Sequence, residues 1–450
     1  MSGTEAPRAR RVAVVGAGLA GCLLATLLGR RGIEVTVYER RPDPRIAGAE
    51  RGRSINLAIS ARGLAALEEV GLREQALERA LPMHGRMVHP RAGGRHEAPD
   101  FQPYSADGRR AINSISRAEL NAALLDAAES TPGVTLRFSR RVTGVAGGRL
   151  MIDGVPGDAA DVVLAGDGAY SAVRGSLDGI EAGQDFLEHG YKELTVPPRD
   201  GEFALDPDAL HIWPRGDSMM IALPNLDRSF TCTLFWPRDD FAALDTPGKV
   251  RAHFARHYPD VAGLMPALTD DFEHNPVGSL VTVRCRPWVR EVDGTLVALL
   301  GDAAHAIVPF FGQGANCAFE DCIEIDRCLT ETGGRWDLAL ALYQDRRKPN
   351  TDAIAEMALD NFVEMRDRVS SPVYKVAHAA QHALERRLAG RYVSRYELVS
   401  FTTVPYARIP GRVRKQNLIL AAVAGALTLI AGSAAALLGR ALCRRSRRSR

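Results

Sequence analysis

The sequence predicts an α/β fold in which a Rossmann-like nucleotide-binding domain is interleaved with an antiparallel-sheet domain, followed by a C-terminal helical region and a single C-terminal transmembrane helix. Three observations lead there. GAGLAG, Gly16 to Gly21, stands between an apolar strand and a helix; DVVLAGDGAYSAVR and GTLVALLGDAAHA each return a buried strand to the same sheet; and Asn417 to Gly439 carry no charge.

The first element is the short apolar run Arg11 to Val15. After the glycines, CLLATLLGRRG has helical periodicity that ends at Gly32, and IEVTVYER reads as a second strand, completing a βαβ unit. Gly16 permits the tight turn, Gly18 lets backbone approach a pyrophosphate, and Gly21 lets helix pack on strand. Phosphate oxygens accept from the free amides of the helix N-terminus, assisted by its dipole. Glu39, eighteen residues beyond Gly21, is placed to accept from a ribose 2′-hydroxyl. Its charge repels a 2′-phosphate, so FAD or NAD fits better than tightly held NADP. Arg40 joins the cofactor-binding set, although Arg40 and Arg41 beside Glu39 weaken that discrimination.

Between the returning strands, LHIWPRGDSMMIALPNLDRSFTCTLFWP holds three β-rich runs separated by the turn signals PRGDS and PNLDRS. This reads as an antiparallel sheet suited to wall a ligand site. Beyond Asp321 the chain turns helical. The division expected is 1–180 for the first part of the nucleotide-binding domain, with substrate-site insertions around 80–110. The antiparallel sheet follows over 181–285, a return segment over 286–335, a helical cap over 336–410, and an anchor with a basic tail over 411–450.

At 450 residues with ordinary apolar and charged content, the chain is long enough for two or three interleaved domains. The last eleven residues carry six arginines and no acid, and without them the body turns slightly acidic, which gives no broad face for nucleic acid. Seven cysteines without a CxxC pair argue for free thiols in a reducing compartment. Asn417 to Gly439, as a helix of roughly 34 Å, would span a hydrocarbon core of about 30 Å. The expectation is therefore attachment to membrane lipid with the catalytic body in the cytosol, at a bacterial inner membrane or a mitochondrial outer membrane. No metal site is expected: the pairs His84/His89 and His253/His257 have no convincing third ligand, and Cys317, Cys322 and Cys328 suit buried thiols on one helix.

GAGLAG, DGAYSAVR (Asp167 to Arg174) and GDAAHAIVPFFGQGAN (Gly301 to Asn316), in this order, resemble the FAD-dependent aromatic hydroxylases, single-component monooxygenases that use FAD, NAD(P)H and dioxygen. RGRSINLAIS, HGYKELTVPP, LHIWPR, MMIALPN, SFTCTLFWP and GDAAHAIVPFFGQGANCAFEDC look like the kynurenine-hydroxylating members, from about residue 10 to 408. The resemblance implies that Asp302 meets the ribityl or adjoining phosphate region of FAD, and that Gly312, Gln313, Gly314, Ala315 and Asn316 lie at the flavin edge. It also implies cofactor contacts from Arg117, Ala20, Ala58 and Val142. Ala315 departs from the family pattern, which often has methionine there.

For the substrate, the resemblance implies that Arg86, Tyr104, Asn361 and Tyr396 hold the amino-acid end of L-kynurenine, as a bidentate guanidinium suits a carboxylate. Gln313, Phe310 and Phe311 are the candidates for placing the aromatic ring. The implied reaction is NADPH-dependent hydroxylation at ring position 3 through a flavin C4a-hydroperoxide, with NADPH docking transiently because a second GxGxxG is absent. His305, with no acid nearby in sequence to identify a partner, suits a structural hydrogen bond better than proton transfer. A hydroxylase of another aromatic acid and a membrane-tethered non-catalytic flavoprotein remain the alternatives.

Overall fold

The computed structural model describes residues 11–47, 56–90, 98–369, 371–388 and 390–422. Its six-stranded sheet has the order Val289–Val292, Thr295–Leu299, Val162–Ala165, Val12–Val15, Val35–Tyr38 and Val134–Arg137. All neighbours are parallel except the first pair, a hairpin. The central strands VAVV, VVLA and VTVY are β-branched and almost wholly buried, as parallel strands covered on both faces must be. Val12 pairs with Val35 on one side and Val162 on the other, so segments far apart in sequence meet at one sheet centre.

The helix Leu19–Arg30 is buried along nearly its whole length, packed against the helices Arg117–Glu129 and Gly314–Glu331. That double cover explains why CLLATLLG is apolar all round rather than on one stripe.

A second sheet of seven strands runs in the order Gly278–Arg286, Glu181–Val196, Phe230–Pro237, Met219–Pro224, Ala209–Pro214, Gly85–Val88 and Asp100–Pro103. The three β-rich runs expected over 210–237 form its antiparallel centre. Gly85–Val88 then pairs parallel to Ala209–Pro214 and antiparallel to Asp100–Pro103, which sets Arg86 directly opposite Gln102. The long helix Trp336–Val363 runs into a π-helical turn, Glu364–Arg368, the kind of widened turn that recurs where side chains are aimed into sites.

The α/β architecture stands, but the expected C-terminal transmembrane helix is corrected. Among the described residues no helix is long and apolar enough to cross a membrane. The helical stretch that leads into the uncharged run is described to residue 422 and carries Arg412, Arg414 and Lys415, so its described part is too short and too charged to span a hydrocarbon core. The remainder of that run and the arginine tail lie outside the described residues.

Candidate active site

A cleft lies at the C-terminal ends of the parallel strands, where open α/β sheets place their ligands. Gly18, Leu19 and Ala20 line one part of it; Ala58, Arg117, Gly301, Asp302, Gly312, Gly314 and Ala315 line others. The glycines explain the shape. A Cβ at Gly16, whose φ is +98°, would stand 2.6 Å from the Gly166 carbonyl oxygen, and one at Gly21 only 1.9 Å from that of Gly16. Gly18 has no protein atom within 4 Å of where its Cβ would be, so its bare backbone faces open cleft. The helix that begins at Leu19 has no side-chain cap and no acid in its first turn, leaving its amides for an anion.

Glu39 is buried at the strand end. Its Oε2 accepts from the Ala17 amide at 3.0 Å, and its Oε1 from the backbone and side chain of Arg41 at 3.0 and 2.9 Å. Burial opposes its charge, but the Arg41 and Ala17 bonds outweigh that and hold the carboxyl below its usual range. Glu39 thus stiffens the glycine turn as well as standing at its adenosine side. Arg40 is exposed beside it. Val142 is buried in the core and does not line the cleft. The glycine cradle, the uncapped helix start and the long cleft fit an extended dinucleotide such as FAD.

The far wall is built by a buried network that spacing alone does not reveal. Asp321 accepts from the Gly301 amide at 2.9 Å, from His305 Nε2 at 2.5 Å and from Arg347 Nε at 2.7 Å. Burial works against a charged His305, yet Asp321 overrides it and pushes the imidazole up to about 10, while His305 and Arg347 depress Asp321. His305 therefore has an acid partner sixteen residues on, about two turns into the helix Gly314–Glu331, and the pair anchors the turn to that helix. Arg174 of the second motif donates to the Ala303 carbonyl at 2.7 Å, tying two of the glycine motifs together.

Two of the expected flavin-edge residues, Gln313 and Asn316, turn their side chains away from the cleft. Gln313 does not line the cleft: its Nε2 donates to the Phe311 carbonyl at 3.2 Å, and its Oε1 accepts from the Tyr406 hydroxyl at 2.7 Å. Asn316 is likewise buried, donating to the Ala58 and Gly312 carbonyls and accepting from the Ser60 and Gly63 amides. A fully paired amide has nothing left for a ligand, so both shape the loop from behind.

The other predicted residues come together in and beside a second, smaller cavity. Arg86, Tyr104, Asn361 and Tyr396 line it, and Arg86, Phe311 and Tyr396 border the large cleft as well, so the two meet there. Tyr104 stacks on Tyr396 with ring centroids 4.9 Å apart, and the Arg86 guanidinium sits 4.7 Å over the Tyr396 ring. Arg86 is 6% exposed, yet its Nε and the Tyr104 hydroxyl have no hydrogen-bond partner among the described residues. Glu364 lies 3.9 Å from Arg86, with its own oxygens taken by Tyr374 at 2.9 Å and Arg395 at 3.2 Å. Asn361 donates to the Phe310 carbonyl at 2.6 Å and so supports the loop as well as the cavity. Phe310 stacks on Phe362 at 4.2 Å and lines the cleft with Leu210, Met219, Ile221, Leu223 and Phe235. Tyr374, Glu364 and Gln102 were missed from sequence, because only the pairing of distant segments brings them to Arg86.

Known proteins resemble this chain over most of its length. A family model described as FAD binding domain matches residues 9–358. The kynurenine 3-monooxygenase of Myxococcus xanthus is 48% identical over 88% of this chain and 86% of its own. That of Salinispora arenicola is 45% identical over 98% and 99%, and that of Dictyostelium discoideum 43% over 88% and 89%. Among solved structures, 2-methyl-3-hydroxypyridine-5-carboxylic acid oxygenase superposes with a TM-score of 0.66 at 22% identity, covering 83% of this chain and 96% of that one, which shows the shared fold. The chain belongs to the kynurenine 3-monooxygenase family of flavin-dependent monooxygenases.

Proposed function

We propose that the protein hydroxylates L-kynurenine at ring position 3 to give 3-hydroxykynurenine, using FAD with NADPH and dioxygen as co-substrates. The observation that carries this reading is the junction of the two cavities. A cleft suited to FAD opens, past Phe311 and Tyr396, onto a buried guanidinium and a tyrosine hydroxyl with unused donors.

Gly16, Gly18, Gly21 and the helix start would hold the pyrophosphate, Glu39 the ribose, and Asp302, Arg117 and the backbone of Gly312 to Ala315 the flavin half. Bound FAD, once reduced by the nicotinamide, supplies the activation of dioxygen that a closed-shell aromatic requires. The chain's own residues bind and orient. Arg86 and Tyr104 take the substrate carboxylate, as charge-assisted bonds from buried donors do most strongly. That fixes the distance of the aromatic ring from the anchor, while Phe310, Phe235, Leu210, Met219 and Leu223 enclose it and exclude water. The aniline nitrogen of kynurenine feeds electron density into the ring, so the site has no need of a strong base. His305, locked to Asp321, is not one.

Expression of the whole chain should yield a yellow protein that consumes NADPH and oxygen faster with L-kynurenine than without, releasing a product heavier by one oxygen atom. Peroxide as the sole product, whether or not kynurenine is present, would overturn the substrate assignment.

A further inference from the structure

Among the described residues, the side-chain atoms that are buried and unpartnered are few, and three belong to residues lining the smaller cavity: Arg86 Nε, the Tyr104 hydroxyl and Gln102 Oε1. The first two are donors and suit a carboxylate. The third is an acceptor, and a carboxylate gives it nothing.

Gln102 is 6% exposed and sits opposite Arg86 in the strand ladder, so the two side chains leave the sheet on the same face. Its orientation is set from behind: Nε2 donates to Asp100 Oδ2 at 3.0 Å and to the Val369 carbonyl at 3.3 Å, which fixes the amide the other way round with its oxygen free. The charged acceptor in the same cavity, Glu364, already accepts from Tyr374 and Arg395. A buried amide oxygen without a donor costs free energy unless a ligand supplies one.

We infer that Gln102 Oε1 accepts a hydrogen bond from the α-ammonium group of the substrate, which makes Gln102 a determinant of specificity for an α-amino acid over the corresponding plain carboxylic acid. Two donors and one oriented acceptor at one end of a cavity match the carboxylate and ammonium of an amino acid. The inference rests on the proposed kynurenine reaction and adds the residue that reads the amino group.

The test compares kcat/KM for L-kynurenine and for its des-amino analogue, 4-(2-aminophenyl)-4-oxobutanoate, in the wild-type holoenzyme, Gln102→Met and the double variant Asp100→Asn with Gln102→Glu. In Gln102→Met, turnover of L-kynurenine should fall about 10- to 100-fold, the range for losing a hydrogen bond to a charged group, with the des-amino analogue little changed. Gln102→Glu, made together with Asp100→Asn so that the new carboxylate meets an amide donor in place of a like charge, keeps an acceptor oxygen and should hold or raise the preference for L-kynurenine. Equal loss on both substrates in Gln102→Met, or a preference lost in the double variant, overturns the inference. If Gln102→Met fails to retain FAD, the ratio in the double variant decides alone. A wild-type enzyme inactive on both substrates sinks the kynurenine reading instead, so the two failures are distinguishable.

Discussion

Arg86 and Gly18 show how single residues are defined by what they lack. Arg86 lies in a buried pocket with an unused donor; burial opposes its charge, but Tyr374, Tyr396, Tyr104 and Glu364 around it outweigh that and hold the guanidinium above its usual range. For Arg86→Met we expect FAD retained and the KM for L-kynurenine raised about 100-fold, in line with the 2–5 kcal/mol lost when a buried charge loses its partner; an unchanged KM in steady-state kinetics removes Arg86 from the site. Gly18 is the sharper probe of the cofactor. A methyl group there meets no protein atom, so Gly18→Ala should leave the unfolding midpoint nearly unchanged and weaken FAD binding about tenfold or more, read by fluorescence titration. Gly21→Ala, with its methyl driven into the Gly16 carbonyl, should lose fold and flavin together.

At the scale of elements, the turn after Thr295–Leu299 and the helix Gly314–Glu331 are joined by one carboxylate. The His305–Asp321 pair gives that joint a pH signature. His305 is raised from 6.5 to about 10, so the stability it contributes is whole below pH 6.5 and lost as pH rises toward 10. Asp321 is depressed below 3.8, so its share is present above that and lost only as pH falls further. Asp321→Asn should destabilise the protein by about 3–5 kcal/mol, the cost of leaving a buried charge unpaired. It should also flatten the decline in urea-unfolding midpoint between pH 6.5 and 10; a wild-type midpoint flat across that window contradicts the ion pair. Much of this level was legible in sequence. The βαβ unit, the returning strands and the three antiparallel runs follow from apolar periodicity and turn residues, both local properties. The Asp321 joint was not, because its partners come from two other segments, the turn Gly301–His305 and the helix Trp336–Val363.

For the molecule as a whole, the segment after Trp336–Val363 closes over both cavities. Tyr396 stands at their junction, and Tyr406 donates to Gln313 behind the flavin loop while Arg62 lies 3.7 Å over its ring and pairs with Glu320. The last described turns thus brace the first cofactor elements. Tyr406→Phe removes one buried hydrogen bond, about 1 kcal/mol, and should weaken FAD retention severalfold with the KM for kynurenine little altered. Loss of substrate affinity with FAD binding intact would place Tyr406 in the substrate end instead.

By itself the sequence determined the dinucleotide class of the cofactor and the presence of the parallel and antiparallel strands, since glycine spacing and hydrophobic period are written within short windows and need no distant partner. The resemblance of its motifs also pointed to Arg86, Tyr104, Asn361 and Tyr396. Tertiary structure decided which of the named side chains face the ligand space. Gln313 and Asn316, beside the glycines in sequence, turn away because the Tyr406 hydroxyl and backbone groups of Ala58, Ser60, Gly63, Phe311 and Gly312 saturate them. Gln102, unremarkable in sequence, turns inward because its strand pairs with that of Arg86. The uncharged C-terminal run looked like a membrane span from length and composition; among the described residues, no helix has the length and apolarity for one.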